Sequence, residues 1–175
     1  MKKIIFLLAF TLSSASLWAQ GSFDKFFAKY ADADGFTVIN ITPKMFSMFS
    51  KVDVNDPEGQ KVMQVAKKLT GLRIITAEDA DAAASKKLYR EAASYLTKDF
   101  QELMSIKNED TDLKFMVREN AKGNIAELVM LVGGDEFVAI TVNGDFSLAD
   151  LSGISDNVKI TGFDKLGNLG NKKKP

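Results

Sequence analysis

The chain has 175 residues, carries 23 basic and 23 acidic side chains, and contains neither cysteine nor histidine. Disulfide bridges, thiol nucleophiles, histidine acid–base catalysis and the usual zinc ligand sets are thereby excluded. The even charge balance offers no clustered basic field, so no nucleic-acid partner is expected.

Lys2 and Lys3 precede an apolar run from Ile4 to Leu12, interrupted at Thr11, and small residues follow from Ser13 to Ala19. That is the layout of a secretory signal peptide. Cleavage after Ala15 would place Ser13 at the small-residue position. Cleavage after Ala19 is favoured, because Gly21 and Ser22 then lead straight into the first folded element. The apolar run is shorter than the ~20 residues of a membrane span, and no cysteine follows it for lipidation, so no stable membrane anchor is expected. The expected location is periplasmic or secreted, of Gram-negative type. Residues 1–19 are read as the signal peptide, 20–161 as one α+β domain and 162–175 as a solvated tail. Loss of Lys2 and Lys3 takes the basic count from 23 to 21 against 23 acids, a net charge of −2.

Ser22 is placed to cap a first helix whose Phe23, Phe26, Phe27 and Tyr30 share one face. Asp32, Asp34 and Gly35 end it, and Phe36 to Ile41 reads as a strand. Thr42-Pro43 then looks like a cap with proline in the first turn, opening a short helix expected to bury Met45, Phe46, Met48 and Phe49. Asp56-Pro57 repeats that signal for a helix to about Leu69, with Val62, Val65, Ala66 and Leu69 inward. Gly71 is its expected stop, and Leu72 to Thr76 a short strand. A long helix is predicted from about Glu78 to Met104. Glu78, Asp79 and Asp81 sit in its first turn, and Leu88, Ala92, Leu96, Phe100 and Leu103 form its stripe.

From Leu113 the hydrophobic period becomes two. Leu113, Phe115 and Val117, then Ile125–Val132, then Phe137–Val142 predict a three-stranded antiparallel meander, with turns at Glu119–Asn124 and Gly133–Glu136. In the middle strand Ala126, Leu128, Met130 and Val132 are apolar on one face, yet Val129 and Leu131 are apolar on the other. A sheet wet on one side would alternate more cleanly. Its second face is therefore expected to be covered, by the chain's own helices or by a partner. Ser147 to Leu151 reads as a last short helix. The predicted fold class is α+β: an antiparallel sheet containing the meander, packed against several helices including the long one.

Gly133-Gly134-Asp135-Glu136-Phe137 resembles the signature of diguanylate cyclases, in which a Gly-Gly hairpin approaches the nucleotide. The family's upstream Asn-Asp…Gly-His segment has no counterpart here, and Gly-Gly-Asp is good hairpin chemistry between apolar strands. We read it as a turn. Asp32-x-Asp34-Gly35 matches only a fragment of a calcium loop, because Ile41 stands where the closing glutamate would fall. Asn108, Glu109, Asp110 and Asp112 read as a solvated acidic loop. Ser85-Lys86 and Ser94…Lys98 read as exposed helix positions, and Lys172–Lys174 as part of the tail. No catalytic, cofactor-binding or metal-ligating residue is assigned.

Several of these segments together resemble a family of exported bacterial proteins known as domain of unknown function 4252. They are the Phe46–Phe49 helix, the Gly71-Leu72 strand entry, the stretch from Tyr95 to Leu103, the Phe115–Arg118 strand and the Leu128–Val142 hairpin. The Gly144-Asp145…Leu148…Leu151 close completes the set. The resemblance implies an exported domain with a possible envelope-regulatory role, and it brings no catalytic or binding residues. The expected function is a non-enzymatic envelope module for binding, interaction or regulation. Its expected company is an envelope protein partner or a second copy held through the meander. The alternatives are a carboxylate- or serine-based hydrolase, or a carrier of an apolar ligand.

Overall fold

A computed structural model describes residues 23–49, 55–109 and 111–150. Residues 1–19, read above as a signal peptide, both expected cleavage points, Ser22, Leu151 and residues 162–175, read as a tail, lie outside the described residues. In chain order the elements are α1 (Asp24–Tyr30), β1 (Phe36–Ile41), α2 (Pro43–Phe49), α3 (Pro57–Ala66), β2 (Leu69–Ala77), α4 (Ala82–Ser94), β3 (Gln101–Lys107), β4 (Thr111–Glu119), β5 (Ile125–Gly134) and β6 (Val138–Phe146). The strands form one antiparallel sheet in the order β1-β2-β6-β5-β4-β3. The fold is α+β, and the expected meander β4-β5-β6 lies within it, flanked by β3 on one side and β2 on the other. Among the described residues no helix is long and apolar enough to cross a membrane.

Successive side chains of a strand point to opposite faces, and each face of this sheet holds its own core. One contains Phe23, Phe26, Phe27, Ile75, Ala92, Phe100, Val129, Leu131, Phe137 and Ala139. The other contains Leu113, Phe115, Val117, Leu128, Met130, Ile140, Val142 and Phe146. This is why β5 does not alternate. It is buried at every position except Ala126 and Val132, which are partly exposed. Ala126 stands at a bulge between Ile125 and Glu127, which puts Ile125 in place of Ala126 on the Leu128 side.

α1 and α4 cover the first face. The aromatic stripe expected of α1 is buried there, with Phe26 within 6 Å of both the Tyr95 and Phe137 rings, at 5.7 and 5.9 Å between centroids. Each phenylalanine buried this way contributes about 1.5–3 kcal/mol by area alone. α4 docks on the far end of β5 by close backbone approach. A Cβ built on Gly133 would lie 2.6 Å from the Cβ of Tyr89. One residue on, the Gly134 amide donates to the Oγ of Ser85, which is fully buried. The two helices are tied at their outer side by Glu91, whose carboxylate accepts from Lys29 Nζ at 2.6 Å and from Tyr30 Oη at 2.9 Å.

The predicted long helix is corrected. α4 starts at Ala82, after its cap Asp81, whose Oδ1 accepts from the Ala84 amide at 2.7 Å. Glu78 and Asp79 precede the helix, Asp79 with φ at 54°. The helix stops at Ser94, and residues 101–107 are the edge strand β3. The i+4 stripe ran on because Leu96 and Phe100 do pack on the same core from a non-helical connection. Pairing with β4 puts Met104 and Ile106 into the opposite core, which no helix on the first face could reach.

Other boundaries moved for similar reasons. β2 begins at Leu69 and runs through Gly71, so Gly71 is not a helix stop and Leu69 is a strand residue. α3 is capped as expected, Asp56 Oδ1 accepting from the Gly59 amide at 2.6 Å. Of its inward set Val65 is buried, whereas Val62 is 38% exposed. In α2 Phe46 is buried but Met45 and Met48 are 45% and 56% exposed, so the expected apolar face does not form as a unit. The Gly133–Glu136 turn is shorter than predicted, because both glycines pair with β4 as part of β5.

Two measurements test this packing. Gly133→Ala should destabilise the fold by about 1–3 kcal/mol in urea unfolding, the cost of overpacking a helix against a strand. A change within error would mean that α4 has room to shift. The ammonium of Lys29 holds the Glu91 carboxyl below its usual range, against the opposing effect of burial. A carboxyl lowered by folding stabilises fully above its unfolded value, and that stabilisation disappears as pH falls through the folded one. Between about pH 6 and pH 3, unfolding free energy should therefore fall less steeply in Glu91→Gln than in the parent. Parallel curves would deny Glu91 its role in the tie.

Candidate functional site

The first face is apolar only where the helices lie on it. Val38, Ile75, Ala139 and Leu131 form an apolar rung across β1, β2, β6 and β5. The next rung on that face reads Asn40, Arg73 and Thr141 across β1, β2 and β6, and turns apolar again at Val129 and Met116 on β5 and β4. The one beyond reads Gly71, Asn143, Glu127 and Arg118 across β2, β6, β5 and β4. Two consecutive rungs thus hold a polar island beside an aromatic core.

Two arginine–carboxylate pairs dominate it. Arg73 Nη2 donates to Oδ1 of Asp24, which α1 brings down over β2, and the Arg73 guanidinium lies 4.6 Å from the Phe27 ring centroid. Arg118 Nη2 donates to Oε2 of Glu127 at 2.9 Å, with the Phe100 ring 5.9 Å from the guanidinium. Glu127 is 1% exposed, and its second oxygen, Oε1, has no hydrogen-bond partner; the fully buried Thr141 Oγ1 has none either. Buried polar atoms are almost always satisfied, so these two oxygens are exceptions, and both are enclosed within the protein and not open to solvent. The groove itself is about 370 Å³ and is lined by Asp24, Asn40, Gly71, Arg73, Arg118, Glu127 and Asn143 among others. The Asp24–Arg73 pair also borders a second hollow of about 360 Å³ beside α1, lined by Phe27, Ala28, Ala31 and Val38.

The motifs singled out in the sequence lie elsewhere. Asp135 and Glu136 are exposed at the tip of the β5–β6 turn, and the glycines before them serve the docking of α4. Asp32 and Asp34 are exposed in the turn after α1. Asn108 shapes the β3–β4 turn, its Oδ1 accepting from the Thr111 amide, and Asp110 lies outside the described residues. No group of three or more acidic residues able to hold a metal occurs among the described residues. Ser85 is corrected from exposed to fully buried, and its neighbour Lys86 reaches the Glu109 carbonyl instead. Ser94 donates to the Glu91 carbonyl.

The Gly144-Asp145 close is structural. A Cβ on Gly144 would fall 2.3 Å from the Lys68 carbonyl oxygen, which accepts from the Asp145 amide. Asp145 Oδ1 accepts from the side chains of both Asn120 and Asn124, tying the β4–β5 turn to β6. These two hydrogen bonds, that of Asn124 first, hold the Asp145 carboxyl below its usual range. The residues 148–150 begin a helical turn, with Ser147 and Asp150 capping each other reciprocally.

The sequence reading saw no polar island, and Glu127 is the residue it missed. One signal was present: folding the β4–β5 hairpin about its polar turn sets Arg118 opposite Glu127 on a face otherwise filled by Val129 and Leu131. Nothing local places Asp24, Arg73 or Asn143 beside them.

Removing one partner of a buried ion pair costs far more than removing both. Arg118→Met should destabilise by about 3 kcal/mol, and the double variant Arg118→Met/Glu127→Gln should recover most of that loss. Equal loss in the double variant would show that the guanidinium acts through its packing on Phe100 and not through Glu127.

No curated protein and no solved structure matches the chain. A family model, Domain of unknown function (DUF4252), matches residues 30–154. That span holds Arg73, Arg118, Glu127 and Asn143, and begins just after Asp24. It covers all six strands, and the chain belongs to the DUF4252 family.

Proposed function

We propose that this domain is a non-enzymatic binding module of the cell envelope, exported and at work in the periplasm or outside the cell. The groove over the two polar rungs carries the reading. Its walls are sheet positions held by neighbouring strands, so it is preorganised, and preorganised polar groups bind without an ordering cost. Each of its carboxylates faces an arginine. That arrangement suits the holding of a ligand's polar groups better than a proton-transfer pair, which needs two carboxylates acting on one bond. The layout of the first 19 residues supports export. An envelope protein, or a second copy of the chain, is the partner through which such a module would pass on its occupancy.

Expression with the native leader, followed by cell fractionation and mass measurement, tests the location. The expected product is a periplasmic or secreted chain shortened to Gln20 or Ser16; a full-length cytosolic chain would overturn export. A photo-cross-linking residue at Thr42, on the groove rim, should capture a discrete envelope species in cells, and a blank result would remove the binding reading. Turnover of nitrophenyl ester or glycoside substrates, abolished by Glu127→Gln, would replace the module with a hydrolase.

A further inference from the structure

We propose that a second copy of this chain pairs with the free edge of β1, antiparallel about a two-fold axis at Val38, so that two sheets become one. The pairing stands apart from the groove and does not depend on what the groove holds.

The two edges of the sheet are built differently. β3, at one edge, is bulged between Glu102 and Met104 and carries the charges of Glu102 and Lys107. Bulges and charges are how an edge strand turns further strands away. β1, at the other edge, reads Phe-Thr-Val-Ile-Asn-Ile, with no charge and no proline, and its register against β2 is unbroken from Phe36 to Ile41. Such an edge is a template for another strand.

The ladder decides which groups are open. The Glu78 amide donates to the Gly35 carbonyl at 2.8 Å, and on the other side of β2 the Ala77 amide donates to the Phe137 carbonyl at 3.3 Å. Hydrogen-bonded pairs alternate along an antiparallel ladder, so Thr37, Ile39 and Ile41 turn their amides and carbonyls to β2. Those of Phe36, Val38 and Asn40 face outward, with no partner among the described residues.

That spacing fits the strand to itself. With the axis at Val38, Val38 meets the partner's Val38, and Phe36 meets the partner's Asn40 in both directions. Every outward amide and carbonyl of both copies is then used. An axis at Ile39 would set Phe36 opposite the partner's Thr42, whose carbonyl already accepts from the Met45 and Phe46 amides.

The side chains suit the same register. A two-fold axis normal to the sheet keeps each face on its own side, so no apolar position is turned over. Ile39, 46% exposed in the single chain, comes to lie against the partner's Thr37 in a closely spaced pair. Ile39, Met45 and Met48 are three of the five large exposed hydrophobic side chains among the described residues, so open apolar surface gathers at this edge and just after it. Charge selects the antiparallel sense. The exposed Asp32 and Asp34 before β1 approach the partner's Lys44 after it, whereas a parallel copy would set acid beside acid.

The test is sedimentation velocity with amide hydrogen exchange, on the chain recovered from expression with its native leader. A dimer is expected, with the Phe36, Val38 and Asn40 amides exchanging more slowly as concentration rises. Ile39→Lys should raise its dissociation constant about tenfold, two cross-strand contacts being lost per dimer, with unchanged circular dichroism. The chain has no cysteine of its own, so introduced thiols report the register. Thr37→Cys mixed with Ile39→Cys should form a disulfide-linked dimer under oxidised glutathione faster than either variant alone, since closely spaced pairs fall within disulfide reach. A parent that stays monomeric at NMR concentrations, a dimer indifferent to Ile39→Lys, or Ile39→Cys linking to itself faster than to Thr37→Cys would overturn the pairing. So would protection of these amides only on addition of another envelope protein. Capture at Thr42 of a species other than this chain remains the readout of the groove, so the two readings fail separately.

Discussion

The contact on which the rest of this structure depends is the seating of α4 on β5. Gly133 lets the helix come down until Tyr89 rests on the strand backbone, and the buried Ser85 hydroxyl takes up the Gly134 amide. Tight contact at that end sets the height of the helical layer over the sheet. α1 then fills the space beside α4 with its phenylalanines and is held by the Lys29–Glu91–Tyr30 tie. A chain without disulfides must obtain this order from packing alone, and close packing is what makes the layer rigid.

The same seating decides where the layer ends. α1 and α4 cover the apolar rungs, and α1 reaches the first polar one through Asp24 and Phe27 on Arg73, while Asn40, Arg73, Asn143, Glu127 and Arg118 border a groove. Burying the Glu127 carboxylate is tolerable because Arg118 answers it, and Arg118 is in turn supported by Phe100 from the connection after α4. The aromatic cluster and the polar groove are thus one construction: Phe27 and Phe100 belong to the core and at the same time carry the two guanidinium groups.

The turn residues at the ends of β5 and β6 find their reasons in the same frame. Gly144 allows the Lys68 carbonyl to reach the Asp145 amide, and Asp145 collects the turn asparagines. Gly133 and Gly134, which look like a nucleotide signature when read along the chain, are ladder residues under a helix. Features that look like chemistry in one dimension hold the fold in three. The polar island most suited to chemistry came from residues that carry no motif.

Local signals were enough for the α+β class, the aromatic face of α1, the Asp56-Pro57 cap, the β4-β5-β6 meander and the two-sided burial of β5, because propensity, capping and period are properties of neighbouring residues. They failed from Glu78 to Met104, where an i+4 stripe persisted through a helix, a connection and a strand. Leu96 and Phe100 join the helix-side core without helical backbone, while pairing with β4 claims residues 101–107. The groove was almost wholly a tertiary decision. Arg118 and Glu127 are related by one hairpin, but Asp24, Arg73 and Asn143 come from α1, β2 and β6, and only the sheet order β2-β6-β5-β4 brings them together. The sequence by itself determined which residues seek burial; which polar residues would share a rung, and which rungs the helices would leave open, followed from strand order and the height at which α4 sits.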